Sequence, residues 1–242
     1  MPSALKRLVR NFFAFCQHGA YAWFFSVEVL GAEHVPERGA GPQYHFLMRP
    51  STACLPARGG LIIAANHTSH LDMGLIKYSM GPAGRDLVSL AAQDYFFSNP
   101  LNRWFFGNFT NLLSFNRSKS LKESLLAAGR ELKNGRNLLI FPEGTRTRDG
   151  LMGAFKPSLG YMALNFEADV LPVYISGAFG ALPRGKIVPR ARRLKAVFGP
   201  VIPFAALKEA VAAASVEDAN RAATKVVEDA VRKLEREARG EV

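Results

Sequence analysis

The sequence has few cysteines, since only Cys16 and Cys54 occur among its 242 residues. Their number and spacing argue against both a disulfide scaffold and a zinc site. A chain so poor in cysteine is typical of the cytosol, where thiols stay reduced. The sequence also lacks an internal repeat and any helix-turn-helix, zinc-finger or RNA-binding signature. We therefore expect no metal ion, no cofactor and no nucleic-acid partner.

The amino-terminal region lacks the uninterrupted run of about 20 apolar residues that a spanning helix needs. Residues 17–19 (Gln-His-Gly) interrupt its aromatic-rich stretch, which also disfavours a secretory signal. Ahead of that break, apolar residues recur at helical spacing behind basic ones at Lys6, Arg7 and Arg10. We predict that residues 1–35 form an amphipathic segment in the membrane interface, the alternative being a helix packed on the protein's own core.

Acidic residues are outnumbered, 20 against 31 basic residues, which gives a formal charge of +11. Such a charge predicts an anionic partner, and nucleic acid, lipid headgroups and a phosphorylated substrate or carrier all fit it. A second basic cluster lies far from the amino terminus, at Arg184, Lys186, Arg190, Arg192, Arg193 and Lys195. Both clusters can be solvated surface. Without a nucleic-acid motif, an anionic membrane surface is the partner that we predict.

Apolar runs alternate with segments of helical spacing along residues 36–242. This alternation predicts one α/β domain with a mostly parallel central sheet, covered by helices on both faces. The predicted strands are 27–30, 61–64, 112–115, 137–141 and 170–175, and the predicted helices are 69–80, 121–133, 158–166 and one capped by Ser215. Residues 36–59 are predicted as a loop, of which 40–58 can serve as a lid or a membrane contact.

The segment from Asn66 to Asp72 carries the clearest chemical signal. His67 follows a buried strand, and Asp72 comes five residues later, in the first turn of the next helix. A histidine in that position can take a proton from a substrate hydroxyl, while the carboxylate fixes the ring tautomer and stabilises the imidazolium. The alternative is structural: Asp72 then only complements the helix dipole, and His67 is a turn residue.

Two further loops with arginine follow predicted strands. Arg117 comes after the strand at 112–115, and Arg146 lies in the loop after the strand at 137–141. The carboxyl ends of parallel strands meet at one sheet edge, so both guanidinium groups are predicted beside His67, where they suit phosphate oxygens. Gly144 permits close approach of backbone to a ligand, and Lys156 can add a point charge. Arg146 can alternatively pair with Glu143.

These motifs resemble the glycerolipid acyltransferases typified by 1-acylglycerol-3-phosphate acyltransferase. Four blocks occur in order within residues 61–175: Asn66-His67-x4-Asp72, Phe115-Asn116-Arg117, Phe141 to Arg146, and Val170 to Val173. The resemblance implies that His67 is the general base and Asp72 its orienting partner. It implies a site for glycerol phosphate at Arg117, Glu143, Gly144, Thr145 and Arg146, and places Pro172 near the acyl donor. Three features depart from the family. Asn116 replaces a common aspartate, Lys156-Pro157-Ser158 replaces a glycine-bearing turn, and the loop at 40–58 is longer than usual.

The resemblance implies an O-acyltransferase that uses acyl-CoA or acyl-carrier protein as co-substrate. The acceptor would be the free hydroxyl of 1-acylglycerol-3-phosphate, and the product phosphatidic acid. The expected location is the cytoplasmic face of the cell membrane, as a peripheral or monotopic protein. Three alternatives stay open: another acceptor, such as a different lysolipid or glycerol-3-phosphate; a thioesterase that uses water; or a basic membrane-surface binding module without catalysis.

Overall fold

The computed structural model describes residues 19–36, 60–84, 87–92, 112–115, 121–212 and 215–241. Its sheet has seven strands: β1 (Ser26–Leu30), β2 (Ile62–Ala65), β3 (Val88–Ala92), β4 (Leu112–Phe115), β5 (Leu138–Ile140), β6 (Val170–Ser176) and β7 (Arg193–Phe198). Their order in space is β1-β7-β6-β2-β5-β3-β4. Neighbouring strands pair in parallel except β6 and β7, which pair antiparallel. The predicted mostly parallel sheet is confirmed.

Helices cover both faces of this sheet. The α-helices of the described ranges are α1 (Asp72–Ser79), α2 (Leu121–Lys133), α3 (Ser158–Asn165), α4 (Ala178–Ala181), α5 (Phe204–Ala210) and α6 (Val216–Arg239), and residues 19–24 are also helical. Side chains along β2 alternate between two fully buried clusters, because successive strand residues point to opposite faces. Ile62 packs in the cluster that contains α2, α3, α5 and α6, whereas Ile63 packs in the cluster that contains α1 and α4.

The strands predicted at 27–30, 61–64, 112–115, 137–141 and 170–175 are present, with no end shifted by more than one residue. The helix predicted from residue 69 begins three residues later, at Asp72. Two strands were not predicted, β3 and β7. β7 begins with exposed Arg193 within the second basic cluster, so it does not begin as a plain apolar run.

The amino-terminal region is partly integrated into the domain. β1 pairs with β7, so the sheet starts at Ser26, inside the predicted segment 1–35. Tyr21 and Phe25 are buried in the core, as the alternative of own-core packing expects, whereas Trp23 is 92% exposed. Residues 1–18 and the 40–58 loop lie outside the described residues. None of the helices described here combines the length and hydropathy of a membrane span. Membrane contact by residues 1–35 stays a prediction.

The strand directions define one functional edge of the sheet. β2, β5 and β6 are parallel and end at this edge. His67 lies two residues beyond the end of β2, and Glu143 three residues beyond the end of β5. Because β7 is antiparallel to β6, β7 and its parallel neighbour β1 begin at the same edge. We call this side of the domain the catalytic edge.

Candidate active site

His67 and Asp72 form a direct pair at the catalytic edge. His67 Nδ1 lies 3.0 Å from Asp72 Oδ2, and the two side chains are 22% and 0% exposed. β2 ends just before His67, and α1 begins at Asp72, so a short turn brings the carboxylate back under the ring. The spacing of five residues therefore produces the contact that the sequence predicted.

The Asp72 carboxylate is anchored by backbone donors. Its Oδ2 atom accepts hydrogen bonds from the N–H groups of Thr68, at 2.6 Å, and Ser69, at 2.8 Å. The Thr68 hydroxyl donates to Oδ1 at 3.2 Å. A carboxylate oxygen is a hydrogen-bond acceptor, so its contact with His67 pairs it with an N–H at Nδ1. The Nε2 lone pair of that tautomer can accept a proton from a substrate.

The loop after β5 also contacts His67 and fixes its position. The N–H of His67 donates to Glu143 Oε1 at 2.7 Å, and the His67 carbonyl accepts from the Thr147 N–H at 2.9 Å. The ring of Phe141 stacks on the imidazole, with centroids 4.0 Å apart and an interplanar angle of 13°. Three contacts from one loop thus fix the backbone and the ring plane of His67.

Glu143 uses both carboxylate oxygens for backbone contacts. Besides the bond to His67, its Oε2 accepts a hydrogen bond from the Gly153 N–H at 3.0 Å. The pKa of the Glu143 carboxyl is raised above its ordinary value by burial. Hydrogen bonds from His67 and Gly153 and the nearby imidazole oppose this shift. Family resemblance assigned Glu143 to glycerol phosphate. Its observed contacts are with the protein backbone, and they hold the loop against His67.

Further hydrogen bonds attach the His67 segment to the rest of the fold. The Asn66 amide bonds both backbone groups of Ile175 in β6, at 2.7 and 2.9 Å. The Ser69 hydroxyl donates to the Leu182 carbonyl at 2.8 Å, and the buried Tyr21 hydroxyl donates to the Leu71 carbonyl at 2.7 Å. Burial, and then the charge of Asp72, raise the pKa of Tyr21. The sequence analysis did not identify these supports, which depend on contacts between distant segments.

Gly144 and Lys156 are neighbours in the loop after β5. Gly144 has a φ of 72°, and a Cβ atom at this position would lie 2.6 Å from Lys156 Nζ. The Lys156 N–H also donates to the Pro142 carbonyl at 3.0 Å. The Lys156 ammonium group can lie this close to the Gly144 backbone because glycine has no side chain. The structure brings the predicted residues Gly144 and Lys156 together with the loop that contacts His67.

Arg146 acts electrostatically on the same site. Desolvation by the surrounding protein, followed by the charges of Arg146 and His67, lowers the pKa of His70 from 6.5 to about 4, while Asp72 opposes the shift. His70 therefore stays neutral at physiological pH although solvent reaches it. Arg146, His67 and Asp72 are thus within electrostatic range of His70.

An open cleft of about 480 Å³ adjoins the loop after β5. Thr145 and Thr147 line it, and its charged lining consists of Glu143, Arg146, Arg148, Asp149 and Arg184. Three guanidinium groups against two carboxylates suit a phosphate group, which arginine binds through two parallel hydrogen bonds. Two of the residues that line the cleft, Glu143 and Thr147, also contact the backbone of His67.

Two predicted residues are not placed at the site. Arg117 lies outside the described residues. Pro172 is buried within β6, paired with Ala64, and its Cγ atom lies 3.0 Å from where a Gly199 Cβ would be. Its carbonyl accepts the Gly199 N–H at 2.9 Å. Four residues separate Pro172 from the end of β6, about 13 Å at the rise of a strand. In the ranges that the structure covers, no group of three metal-ligating side chains comes together.

The order and contacts of these motifs agree with a comparison to known families. The profile of the Acyltransferase family matches residues 26–176, which include His67, Asp72 and the loop after β5. The chain belongs to the Acyltransferase family. This confirms the resemblance drawn from the four sequence blocks.

Relatives of this acyltransferase-family chain are distant. It is 26% identical over 165 residues to a 1-acyl-sn-glycerol-3-phosphate acyltransferase of Chlamydomonas reinhardtii, which covers 67% of this chain and 42% of the relative. It is 37% identical over 54 residues to a chloroplastic 1-acyl-sn-glycerol-3-phosphate acyltransferase of Arabidopsis thaliana. This match covers 22% of this chain and 15% of the relative. The chain therefore spans less than half the length of these curated relatives.

A solved structure shares the fold. The crystal structure of the 1-acyl-sn-glycerophosphate acyltransferase PlsC from Thermotoga maritima superposes with a TM-score of 0.66 at 22% sequence identity. The match covers 95% of this chain and 81% of that protein. The predicted α/β architecture of this acyltransferase-family chain is therefore confirmed by both its own sheet and a solved relative.

Proposed function

We propose that this chain is an O-acyltransferase that moves a fatty acyl group from a thioester to the free sn-2 hydroxyl of 1-acylglycerol-3-phosphate. The product would be phosphatidic acid, and the donor acyl-CoA or acyl-carrier protein. The observation that carries the proposal is the 3.0 Å contact between His67 Nδ1 and Asp72 Oδ2, next to an arginine-lined cleft. The names of the two curated relatives and of the solved structure support this choice of acceptor.

The reaction would use His67 as general base. Nε2 takes the proton of the acceptor hydroxyl while the oxygen attacks the thioester carbonyl carbon. The C–O bond forms, the C–S bond breaks, and the leaving thiolate takes the proton back from the imidazolium. Asp72 stabilises the imidazolium between these two transfers. General-base catalysis of this kind supplies about 10²- to 10⁴-fold, and positioning of the two substrates supplies much of the remainder.

The acceptor phosphate would bind in the cleft beside the loop after β5. Arg146, which lines the cleft, supplies a planar donor pair. Lys156, which approaches Gly144 in the same loop, would add a point charge. Thr145 also lines the cleft, and Arg117 remains a predicted member of this set. The proposed location is the cytoplasmic face of the membrane, as a peripheral or monotopic protein. The exposed Trp23 and the net charge of +11 support attraction to an anionic bilayer.

A thiol-release assay tests the function. The purified chain receives acyl-CoA, or acyl-carrier protein in a second series, with 1-acylglycerol-3-phosphate, another lysolipid, glycerol-3-phosphate or no acceptor. We expect release to depend on 1-acylglycerol-3-phosphate and to yield phosphatidic acid. The His67→Ala variant serves as the blank, and His34→Gln as a control that changes a histidine away from the site.

Each other result has a defined meaning. Release of the same size without an acceptor would favour the thioesterase. Preference for another acceptor would replace the proposed substrate while retaining the reaction. If the unmodified chain releases no thiol under any condition, the non-enzymatic membrane-binding alternative replaces the proposal. If His67→Ala keeps more than about a tenth of the rate, His67 is not the base.

A further inference from the structure

The connection between α4 and β7 is unusually basic. We call this connection, together with Arg193 at the start of β7, the basic loop (residues 183–193). It contains five basic residues and no acidic one: Arg184, Lys186, Arg190, Arg192 and Arg193. All five are exposed to solvent. Without acidic neighbours in the loop, their charges add to one positive patch, and such a patch attracts an anionic surface.

The middle of the basic loop is apolar. Ile187 is 91% exposed and Val188 is 73% exposed, and they follow Lys186 directly. Single exposed aliphatic residues are common on protein surfaces. Ile187 and Val188 differ from this, because they are adjacent and basic residues flank them on both sides, Lys186 before and Arg190 after. Protein segments that rest in the interface of a bilayer combine these two features.

The loop is anchored to the active site at its base. The Leu182 carbonyl, just before the loop, accepts the Ser69 hydroxyl at 2.8 Å. The Arg190 N–H donates to the Ala181 carbonyl at 2.8 Å and closes the loop. Arg184 lines the same cleft as Arg146. A surface that binds through the loop would therefore lie close to the cleft and to His67.

The sheet topology places the loop on the catalytic edge. Ser176, the last residue of β6, pairs with Lys195 near the start of β7. Ser26, the first residue of β1, pairs with Arg193, so the helical residues 19–24 approach the same edge. Trp23 and Phe24 are exposed there, 92% and 46%. The exposed aromatic residues of the helical segment and the basic loop thus lie at the same edge as the His67–Asp72 pair.

We propose that the basic loop is a membrane-contact surface that binds an anionic phospholipid bilayer and presents the cleft to it. Ile187 and Val188 enter the interfacial region, and the surrounding arginines and lysine bind lipid phosphates. This contact is separate from the predicted amino-terminal segment 1–35. It rests on the proposed function, in which the acceptor is a membrane lipid.

Vesicle sedimentation tests the loop with the full chain and no substrate. The vesicles are phosphatidylcholine alone or phosphatidylcholine mixed with phosphatidylglycerol. Lys186→Gln/Arg190→Gln removes two charges, and Ile187→Ser/Val188→Ser removes the apolar tip. We expect the charge variant to lose about tenfold or more in partitioning to the mixed vesicles, with a weaker salt dependence. The apolar variant should lose binding to both kinds of vesicle.

Matched control variants distinguish an effect of the basic loop from an effect of the total net charge. Lys225→Gln/Lys233→Gln removes two charges from exposed positions on α6, and Val216→Ser removes an apolar residue that is 83% exposed. Both controls should sediment with the mixed vesicles nearly as the unmodified chain does. Equal losses in the loop and α6 charge variants would overturn the proposal, as would unchanged binding of both loop variants.

The outcome is independent of catalysis, because sedimentation uses neither donor nor acceptor. Thiol release with a short-chain lysolipid dissolved as monomers should be unchanged in both loop variants, whereas release with vesicle-borne lysolipid should fall. If monomeric acceptor also gives reduced rates, the loop belongs to the active site and not to a membrane contact. If the unmodified chain binds vesicles but is inactive, and the loop variants lose vesicle binding, the proposed function fails and the membrane contact stands.

Discussion

The backbone N–H of His67 donates a hydrogen bond to Glu143 Oε1 at 2.7 Å, across 76 residues of sequence. The loop that contains Glu143 also binds the His67 carbonyl through the Thr147 N–H. The loop after β5 is therefore part of the support of His67, the proposed base. Glu143, which family resemblance assigns to the substrate, holds the backbone of His67 in place.

Replacement of Glu143 by glutamine tests this positioning role. The glutamine oxygen can still accept from the His67 N–H, but its amide would face the Gly153 N–H, donor against donor. We expect kcat to fall about tenfold or more, with little change in KM for the acceptor, because small displacements of a catalytic group are costly. Steady-state thiol release measures both constants, with the exposed Glu209→Gln as control. A rise in KM at unchanged kcat would instead indicate direct contact with the acceptor.

Replacement of Asp72 by asparagine should remove the negative charge beside His67. The asparagine oxygen can replace Oδ2 and still accept from the N–H groups of Thr68 and Ser69 and from His67 Nδ1, but a neutral amide does not stabilise the imidazolium. We expect kcat to fall about 10²- to 10⁴-fold. Single-turnover thiol release measures the chemical step, and circular dichroism checks the fold. A folded variant with a rate within about threefold of the unmodified chain would contradict the assigned role.

The stacked ring of Phe141 should assist the charged form of His67. An aromatic face stabilises a nearby cation by about 0.5–2 kcal/mol, and the centroids are 4.0 Å apart. Phe141→Leu should therefore lower kcat by about two- to thirtyfold, whereas Phe141→Tyr keeps the ring and should stay close to the unmodified rate. Equal rates for the leucine variant and the unmodified chain would show that stacking contributes only to packing.

Gly144 and Gly240 provide a matched pair for the role of Lys156. Both glycines have a φ of 72°, but a Cβ atom would meet Lys156 only at Gly144 and nothing within 4 Å at Gly240. Alanine should cost roughly 1–2 kcal/mol of stability at either position, because L residues disfavour this backbone conformation. Only Gly144→Ala should raise KM for the phosphate-bearing acceptor. Thermal unfolding and acceptor titration separate the two effects, and equal KM values would exclude Lys156 from acceptor binding.

His70 should introduce a pH dependence into stability. Its pKa in the folded protein is about 4, below the ordinary value of 6.5, so the unfolded chain binds more protons between these values. The contribution is present above pH 6.5 and is lost as the pH falls through about 4. The free energy of unfolding between pH 4 and 7 should change less in His70→Gln than in the unmodified chain. Identical pH profiles would contradict the lowered pKa.

Much of the fold follows from local patterns. Buried strands such as β2 and helices such as α2 appear as apolar runs or helical spacing in the sequence. β7 does not, because its first residue is exposed and its pairing with β6 reverses the direction of the sheet. Strand direction depends on contacts with other segments, and no local pattern contains it.

The active site shows the same division. His67 and Asp72 meet because five residues of one turn bring them together, so their spacing was sufficient. The stacking of Phe141 and the bonds of Glu143 depend on β5 lying beside β2 in register, which the sequence blocks do not specify. Pro172 belongs to a recognised sequence block, yet it lies within β6 and packs beside Gly199. Proximity in a motif does not establish proximity to the substrate.

The side chain of Asn66 replaces a peptide group. By accepting from the Ile175 N–H and donating to its carbonyl, the amide extends the ladder beyond the last residue of β2. The main chain can consequently turn out of the sheet at residue 66 without exposing unsatisfied groups on β6. Aspartate has no donor and leucine has neither function, so only an amide of this length lets the backbone leave early. The direction in which His67 departs from the sheet is thus decided by its neighbour.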